Sequence, residues 1–247
     1  MVSIITPCYN ASAFIEYTIK SVLAQTYTNW EMLIVDDCSK DDSAEIIKKY
    51  SEKDNRIKYF KTESPSGTPT KPRNLAIKYA SGRYVAFLDS DDIWLPTKLE
   101  EQIPLFQDEQ TAIVYSNYEK ISEDGCRNNR LIKAPDEVNY KDLLKSNVIG
   151  NLTGIYDTQK VGKIFCQNVH HEDYILWLSI LKRGYKAKNT NKNAALYRVR
   201  ENSVSANKLK VLSWQWNILR NVEKLPLHKT IYYFIFYAIK AFMKAIK

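Results

Sequence analysis

Tyr84-Val85-Ala86-Phe87-Leu88-Asp89-Ser90-Asp91-Asp92 runs an apolar stretch straight into a cluster of acids. A short continuous apolar run reads as a buried strand, so the acids at its end stand on a rigid element and project from a sheet edge. Carboxylates are the hard oxygen ligands that Mg²⁺ and Mn²⁺ favour, and one or two of them plus diphosphate oxygens complete an octahedron. A solvated turn, with one Asp capping a helix near Pro96, accounts for the same residues. The surrounding sequence decides between the two.

Upstream, Val2-Ser3-Ile4-Ile5-Thr6 is a β-branched run ended by Pro7, and residues 11–25 place Phe14, Ile15, Thr18, Ile19, Val22 and Leu23 at helical spacing. Residues 30–35 form a second apolar strand stopped by Asp36-Asp37. A helix over 43–50, a strand over 56–60 and a helix over 70–80 then lead into the strand at 84–88. Strands alternating with helices predict an α/β chain with right-handed crossovers and a mostly parallel sheet flanked by helices. In such sheets ligands sit at the carboxyl ends of the strands. Pro7-Cys8-Tyr9-Asn10, Asp36-Asp37 and Asp89-Ser90-Asp91-Asp92 each follow a strand directly.

Downstream the pattern loosens. Residues 98–106 read as a helix, 112–118 as a strand, and Glu123-Asp124-Gly125 as a turn returning through 130–133. A strand at 150–156, a helix at 172–181 stopping before Gly184, a strand at 194–199 and a helical remainder complete the pass. His171-Glu172-Asp173 opens its helix where acids are stabilised by the dipole; a carboxylate there can also act as a general base within reach of an acceptor hydroxyl. Ile175 stands where a second zinc-binding His would be, so no zinc site is expected. Arg73, after Gly67-Thr68-Pro69-Thr70-Lys71-Pro72, opens another helix, a place that suits an anion.

The 247 residues carry 45% apolar and 26% charged residues, ordinary for a folded protein. Net charge is +8 but uneven: 21 basic against 26 acidic residues precede Lys182, and 15 against 2 follow from it. Cys8, Cys38, Cys126 and Cys166 are scattered and the N-terminus has no basic, then apolar, leader pattern, which predicts a reducing cytoplasmic location with free thiols. The run Ile231-Tyr232-Tyr233-Phe234-Ile235-Phe236-Tyr237-Ala238-Ile239 breaks at Lys240, short of the roughly 20 residues that span a bilayer. On a helix, Lys229, Tyr233, Phe236, Lys240, Lys244 and Lys247 would share one face, and Ile231, Phe234, Ile235, Ala238, Ile239 and Phe242 the other. That pattern suits a membrane surface, with packing on the core or in a homodimer as the alternatives.

The motifs Ser3-Ile4-Ile5-Thr6-Pro7-Cys8-Tyr9-Asn10, Ser21-Val22-Leu23-Ala24-Gln25-Thr26, Val35-Asp36-Asp37-Cys38-Ser39, Arg73-Asn74 and Phe87-Leu88-Asp89-Ser90-Asp91-Asp92, in this order, resemble family 2 glycosyltransferases. The likeness is strong over the first hundred residues and continues through Glu172-Asp173 and the run Tyr197-Arg198-Val199-Arg200-Glu201-Asn202-Ser203-Val204-Ser205. It implies a GT-A fold over 1–204, with a nucleotide-binding half at 1–95 and an acceptor half at 96–204, and basic amphipathic helices over 205–247. It also implies a metal-dependent, inverting hexosyl- or N-acetylhexosaminyltransferase. The donor would be a UDP-sugar, and the acceptor a saccharide on a polyprenyl diphosphate lipid, in O-antigen or capsule synthesis at the inner face of the plasma membrane.

By the same resemblance Tyr9 stacks on the base, Asp37 binds its edge, and Pro7, Asn10, Arg73, Asp89 and Ser90 line the nucleotide-sugar site. Asp91 ligates Mn²⁺ or Mg²⁺. Asp173 is the base that deprotonates the acceptor hydroxyl, supported by Glu172. Relatives commonly carry His where this chain has Arg200, and a guanidinium neutralises phosphate oxygens but does not ligate a cation. A phosphatase with an Asp-x-Asp nucleophile is disfavoured because its motif follows the first strand. Nucleic-acid binding is not expected. A catalytically inactive binding module of the same fold is the other reading, distinguished by indifference to Asp91 and Asp173.

Overall fold

The computed structural model describes residues 1–200 and 208–246. In chain order the elements are β1 (Val2–Cys8), α1 (Ile15–Leu23), β2 (Trp30–Asp36), α2 (Ser43–Ser51), β3 (Ile57–Lys61), α3 (Thr70–Tyr79), β4 (Tyr84–Phe87) and β5 (Ile93–Trp94). Then come α4 (Lys98–Gln102), β6 (Thr111–Ile121), β7 (Arg127–Ile132), β8 (Glu137–Val138), α5 (Tyr140–Lys145), β9 (Ile155–Asp157) and α6 (Thr158–Val161). α7 (Glu172–Leu181), β10 (Lys186–Arg198), α8 (Lys208–Asn217) and α9 (Leu227–Ile246) close the chain.

The strands form a sheet in the order β3-β2-β1-β4-β9-β6-β10-β5, with β7 on β6 and β8 on β10. β3, β2, β1 and β4 are parallel, as are β6 and β10, while β9 runs antiparallel between β4 and β6. β1 and β2 are buried at every position, as a strand covered on both faces must be. Their side chains alternate between two cores. Ile5, Leu33, Val35 and Phe87 join Ala76 and Ile77 of α3 and Trp177 of α7 on one face; Ile4, Met32, Ile34 and Ala86 join Ile15 and Ile19 of α1 and Ile47 of α2 on the other. Phe87 meets Trp177 edge to face, 5.7 Å between ring centres. That contact fixes the start of α7 beneath the tip of β4 and so sets Asp173 relative to Asp89.

α7 has the predicted bounds. β10 starts earlier than the expected 194, because its first half, Lys186-Ala187-Lys188-Asn189-Thr190-Asn191-Lys192-Asn193, is mostly polar and is held mainly by pairing to β6 and β8, with Ala187 and Asn189 buried. The expected strand at 150–156 shortens to β9 behind a tight turn at Asn151–Thr153. Among the described residues no helix is long and apolar enough to cross a membrane.

The expected faces of α9 need correction. Thr230 is buried and Tyr233, Phe234, Tyr237 and Ala238 are partly so; Tyr233 and Phe234 pack on the main core, with Trp216 edge-on to Phe234 at 5.2 Å. Leu227, Ile231, Tyr232, Ile235, Phe236 and Ile239 form an exposed apolar ridge on the other side. Phe234 and Ala238 therefore face the protein and Phe236 faces outward, because the helix is turned by what it packs on. Phe242, Lys244 and Lys247 of the expected faces, the boundary at 204, and Glu201-Asn202-Ser203-Val204-Ser205 lie outside the described residues or side chains.

Candidate active site

Two clefts meet at the carboxyl end of β4. The first, about 530 Å³, is lined by Pro7, Tyr9, Asp37, Arg73, Asp89, Asp91 and Arg200 among others. The second, about 380 Å³, is lined by Arg73, Asp89, Tyr118, Asn147, Asn151, His171, Glu172, Asp173 and Tyr197. Arg73 and Asp89 belong to both.

Arg73 is buried, and its guanidinium bridges Asp89, 2.5 Å away, and Glu172. A charge taken out of water this far is tolerated only when paired. Burial would depress its pKa, but the two carboxylates more than reverse that and keep it a cation. Sequence reading expected Arg73 to help hold the nucleotide; in the structure it lines the first cleft and also joins β4 to α7. Asn151 donates to the other Asp89 oxygen at 3.4 Å, and Asn147 to Asp173 at 3.5 Å.

Asp173 is partly buried at the start of α7. Burial and the neighbouring Glu172 push its carboxyl up to about 6, against the opposing pull of Arg73. A base with that pKa is ionised at neutral pH yet basic enough to take a proton. His171 caps α7 in a left-handed conformation (φ 62°), and burial lowers its pKa against the opposing pull of Glu172. Its Nε2 has no partner among the described residues, and its ring meets Trp214 edge-on at 5.3 Å. Asn147 and Asn151 were missed by sequence reading, since no local pattern distinguishes them, and His171 and Tyr197 lie in stretches it quoted but were given no role.

On the nucleotide side, Tyr9 is half-exposed over the cleft. Asp37 is buried and accepts from the Thr62 hydroxyl at 2.8 Å and from the Ser66 N–H and hydroxyl at 2.9 and 2.8 Å. Burial pushes its pKa up, but the Ser66 and Thr62 donors outweigh that and hold it below the usual range. Asp37 thus pins the loop carrying Gly67 and Thr68 into the cleft wall. Asn10 does not line the cleft: it takes a left-handed turn (φ 47°) and accepts the Lys40 N–H at 2.8 Å. Ser90 does not line it either, and its carbonyl accepts from the Thr18 hydroxyl.

The acidic cluster divides its labour. Asp91 faces the cleft with Arg200 at 3.7 Å; burial and Asp89 raise its pKa. Asp92 is buried, accepts the Arg198 N–H at 2.9 Å and so ties the turn before β5 to the end of β10. It is not the helix cap suggested by its position before Pro96. Arg200 also lies over the Phe14 ring, 5.4 Å from its centre.

Residues 3–165 match the profile of Glycosyl transferase family 2. The chain is 41% identical to a putative teichuronic acid biosynthesis glycosyltransferase, TuaG, of Bacillus subtilis, over 99% of this chain and 97% of that one. It is 42% identical to the UDP-Glc:α-D-GlcNAc-diphosphoundecaprenol β-1,3-glucosyltransferase WfgD of Escherichia coli, over 97% of this chain and 92% of that one. The solved structure of Staphylococcus aureus TarS residues 1–349 with UDP-GlcNAc superposes with a TM-score of 0.70 at 24% identity, covering 96% of this chain and 71% of that one. A Pyrobaculum calidifontis mannosyltransferase with GDP-Man and Mn²⁺ gives 0.69 at 16% identity, covering 91% and 64%. The fold is GT-A.

Proposed function

The chain belongs to glycosyl transferase family 2 and is a glycosyltransferase; we propose that it inverts a hexose or N-acetylhexosamine from a UDP-sugar onto a lipid-linked saccharide in surface polysaccharide synthesis. The observation that carries this reading is the joint made by Arg73. It holds a cleft suited to a nucleotide, rimmed by Tyr9 and Asp91, against a second cleft that ends on a carboxylate tuned to act as a base. UDP as carrier and a lipid diphosphate as acceptor are supported by what WfgD acts on.

In this reading the base of UDP lies against Tyr9, and Asp89 sits on the ribose side. Asp173 takes the proton of the acceptor hydroxyl as it attacks the sugar C1 in line with the departing UDP. Glu172, held by Arg73, keeps Asp173 in place and its pKa up. Arg200 neutralises phosphate oxygens beside Asp91.

Asp91 offers a divalent cation one carboxylate at a crowded acidic edge. Among the described residues no group of three or more His, Cys, Asp or Glu side chains comes together to hold a metal; a site of one or two carboxylates completed by substrate phosphates fits Mg²⁺ or Mn²⁺. When bound, the ion would stabilise the charge of the leaving diphosphate. A screen for UDP release across UDP-sugars, with a short sugar-diphosphate-lipid acceptor, is expected to give turnover with Mn²⁺ or Mg²⁺. Asp91→Asn, or chelation by EDTA, should lower it by roughly 10²-fold or more, the scale of a lost charge stabiliser. Full rate in EDTA would remove the metal from this reading, and no UDP release with any sugar would remove the reading itself.

The apolar ridge of α9, with Lys229 and Lys240 exposed beside it, supports docking at the inner membrane face. Replacing Ile231, Ile235 and Ile239 by Ser spares the packed side of the helix. Flotation with anionic vesicles should recover the wild-type chain and lose the triple variant by more than about tenfold, since each Ile contributes on the order of 1.5 kcal/mol or more when buried in lipid. Equal recovery of the two would sink the membrane reading.

A further inference from the structure

The β6–β7 hairpin brings cations together. Lys120 of β6 stands directly opposite Arg130 of β7, and like charges at opposed positions weaken an antiparallel pair. Arg127 on the same strand is neutralised by Glu119. Among the described residues no carboxylate pairs with Arg130, with Lys133 just beyond β7, or with Lys240 of α9. These three and Lys120 line one cleft of about 670 Å³.

The contents of that cleft set its polarity. Asp173 lines it and is its single acid among the described lining residues. Lys240 lines it too, next in sequence to Ile239 on the exposed ridge of α9. A ligand filling it from end to end presents a hydroxyl to Asp173, an anion to the cations and an apolar chain to α9.

We propose that this cleft is the diphosphate subsite of the acceptor. Arg130, Lys133, Lys240 and Lys120 hold the two phosphates of a lipid-linked sugar, with its saccharide against Asp173 and its hydrocarbon leaving along α9. The assignment rests on the lipid-linked acceptor proposed above. A Lys or Arg on a phosphate oxygen makes a charge-assisted hydrogen bond, about twice as strong as a neutral one, and its loss removes binding shared by ground and transition states.

The test compares two soluble acceptors on the full chain. One is an N-acetylglucosaminyl diphosphate with a short alkyl group; the other is the same alkyl glycoside without the diphosphate. For the wild type, KM for the diphosphate acceptor should be lower by roughly 10²-fold. R130E, K133E and K240E should each raise that KM by about tenfold and together by about a hundredfold. kcat, KM for the UDP-sugar, KM for the phosphate-free acceptor and the melting midpoint should hold. Equal KM for the two acceptors in the wild type, or a KM for UDP-sugar rising in parallel, would overturn the subsite and leave the transferase reading standing. A loss seen only with vesicle-borne acceptor would assign the cations to the bilayer surface and overturn it too. Failure of the wild type on both acceptors, with UDP release intact, would remove the lipid-linked acceptor and the subsite with it.

Discussion

Asp173→Asn is expected to lower kcat by about 10²- to 10⁴-fold, the range a positioned general base contributes, with KM for the UDP-sugar nearly unchanged. The amide keeps the shape and the contact to Asn147 but takes up no proton. The wild-type rate should carry an acid limb near pH 6, because burial and Glu172 push the Asp173 carboxyl up to about 6. The sign is fixed by the role: a base works only when deprotonated, so rate falls as pH drops through that value, and the limb should disappear in Asp173→Asn. Single-turnover transfer across pH 4.5–8 with donor saturating measures both. A variant within about tenfold of wild type, or one keeping the limb, would move the base elsewhere.

The second large effect concerns stability. Arg73→Met should cost about 3–5 kcal/mol, the scale for removing one partner of a buried ion pair, because Asp89 and Glu172 then face each other without the cation between them. Urea unfolding gives the number. Arg73→Lys keeps the charge but not the fork that reaches both carboxylates, so it should recover only part. Adding Glu172→Gln to Arg73→Met removes one stranded charge, so the double variant should be destabilised by less than the sum of the two single effects. If Arg73→Met unfolded at the wild-type urea midpoint, the joint between β4 and α7 would not be energetic.

What the sequence disclosed follows from the physics of each element. β1, β2 and β4 are covered on both faces, so their apolar runs are unmistakable, and the acids after β2 and β4 locate the sheet edge. α7 kept its predicted bounds because Glu172 and Asp173 open it and Gly184 lies just past its end. β5 and β8, two residues each, are too short to have a period. The polar half of β10 is a strand only because β6 is beside it. The antiparallel placement of β9 is a long-range fact that no local pattern carries.

The site was legible in the same uneven way. Tyr9, Asp37, Asp89, Asp91 and Asp173 could be named from motifs, and they line the clefts. Asn10 and Ser90 lie within the same motifs but serve the backbone instead. Motif membership does not separate a residue that lines the cleft from one that only shapes the loop. The pairing of Arg73 with Glu172 spans 99 positions, so its role emerges only from the fold.

The proposed docking through the ridge on α9 would change the units in which acceptor is counted. A chain resting on a bilayer by Leu227, Ile231, Ile235 and Ile239 meets lipid-borne molecules by diffusion in a plane, so its rate follows their number per area of membrane rather than per volume of solution. Diluting vesicles at fixed composition would then leave turnover of each bound chain unchanged, whereas diluting the acceptor among other lipids would slow it.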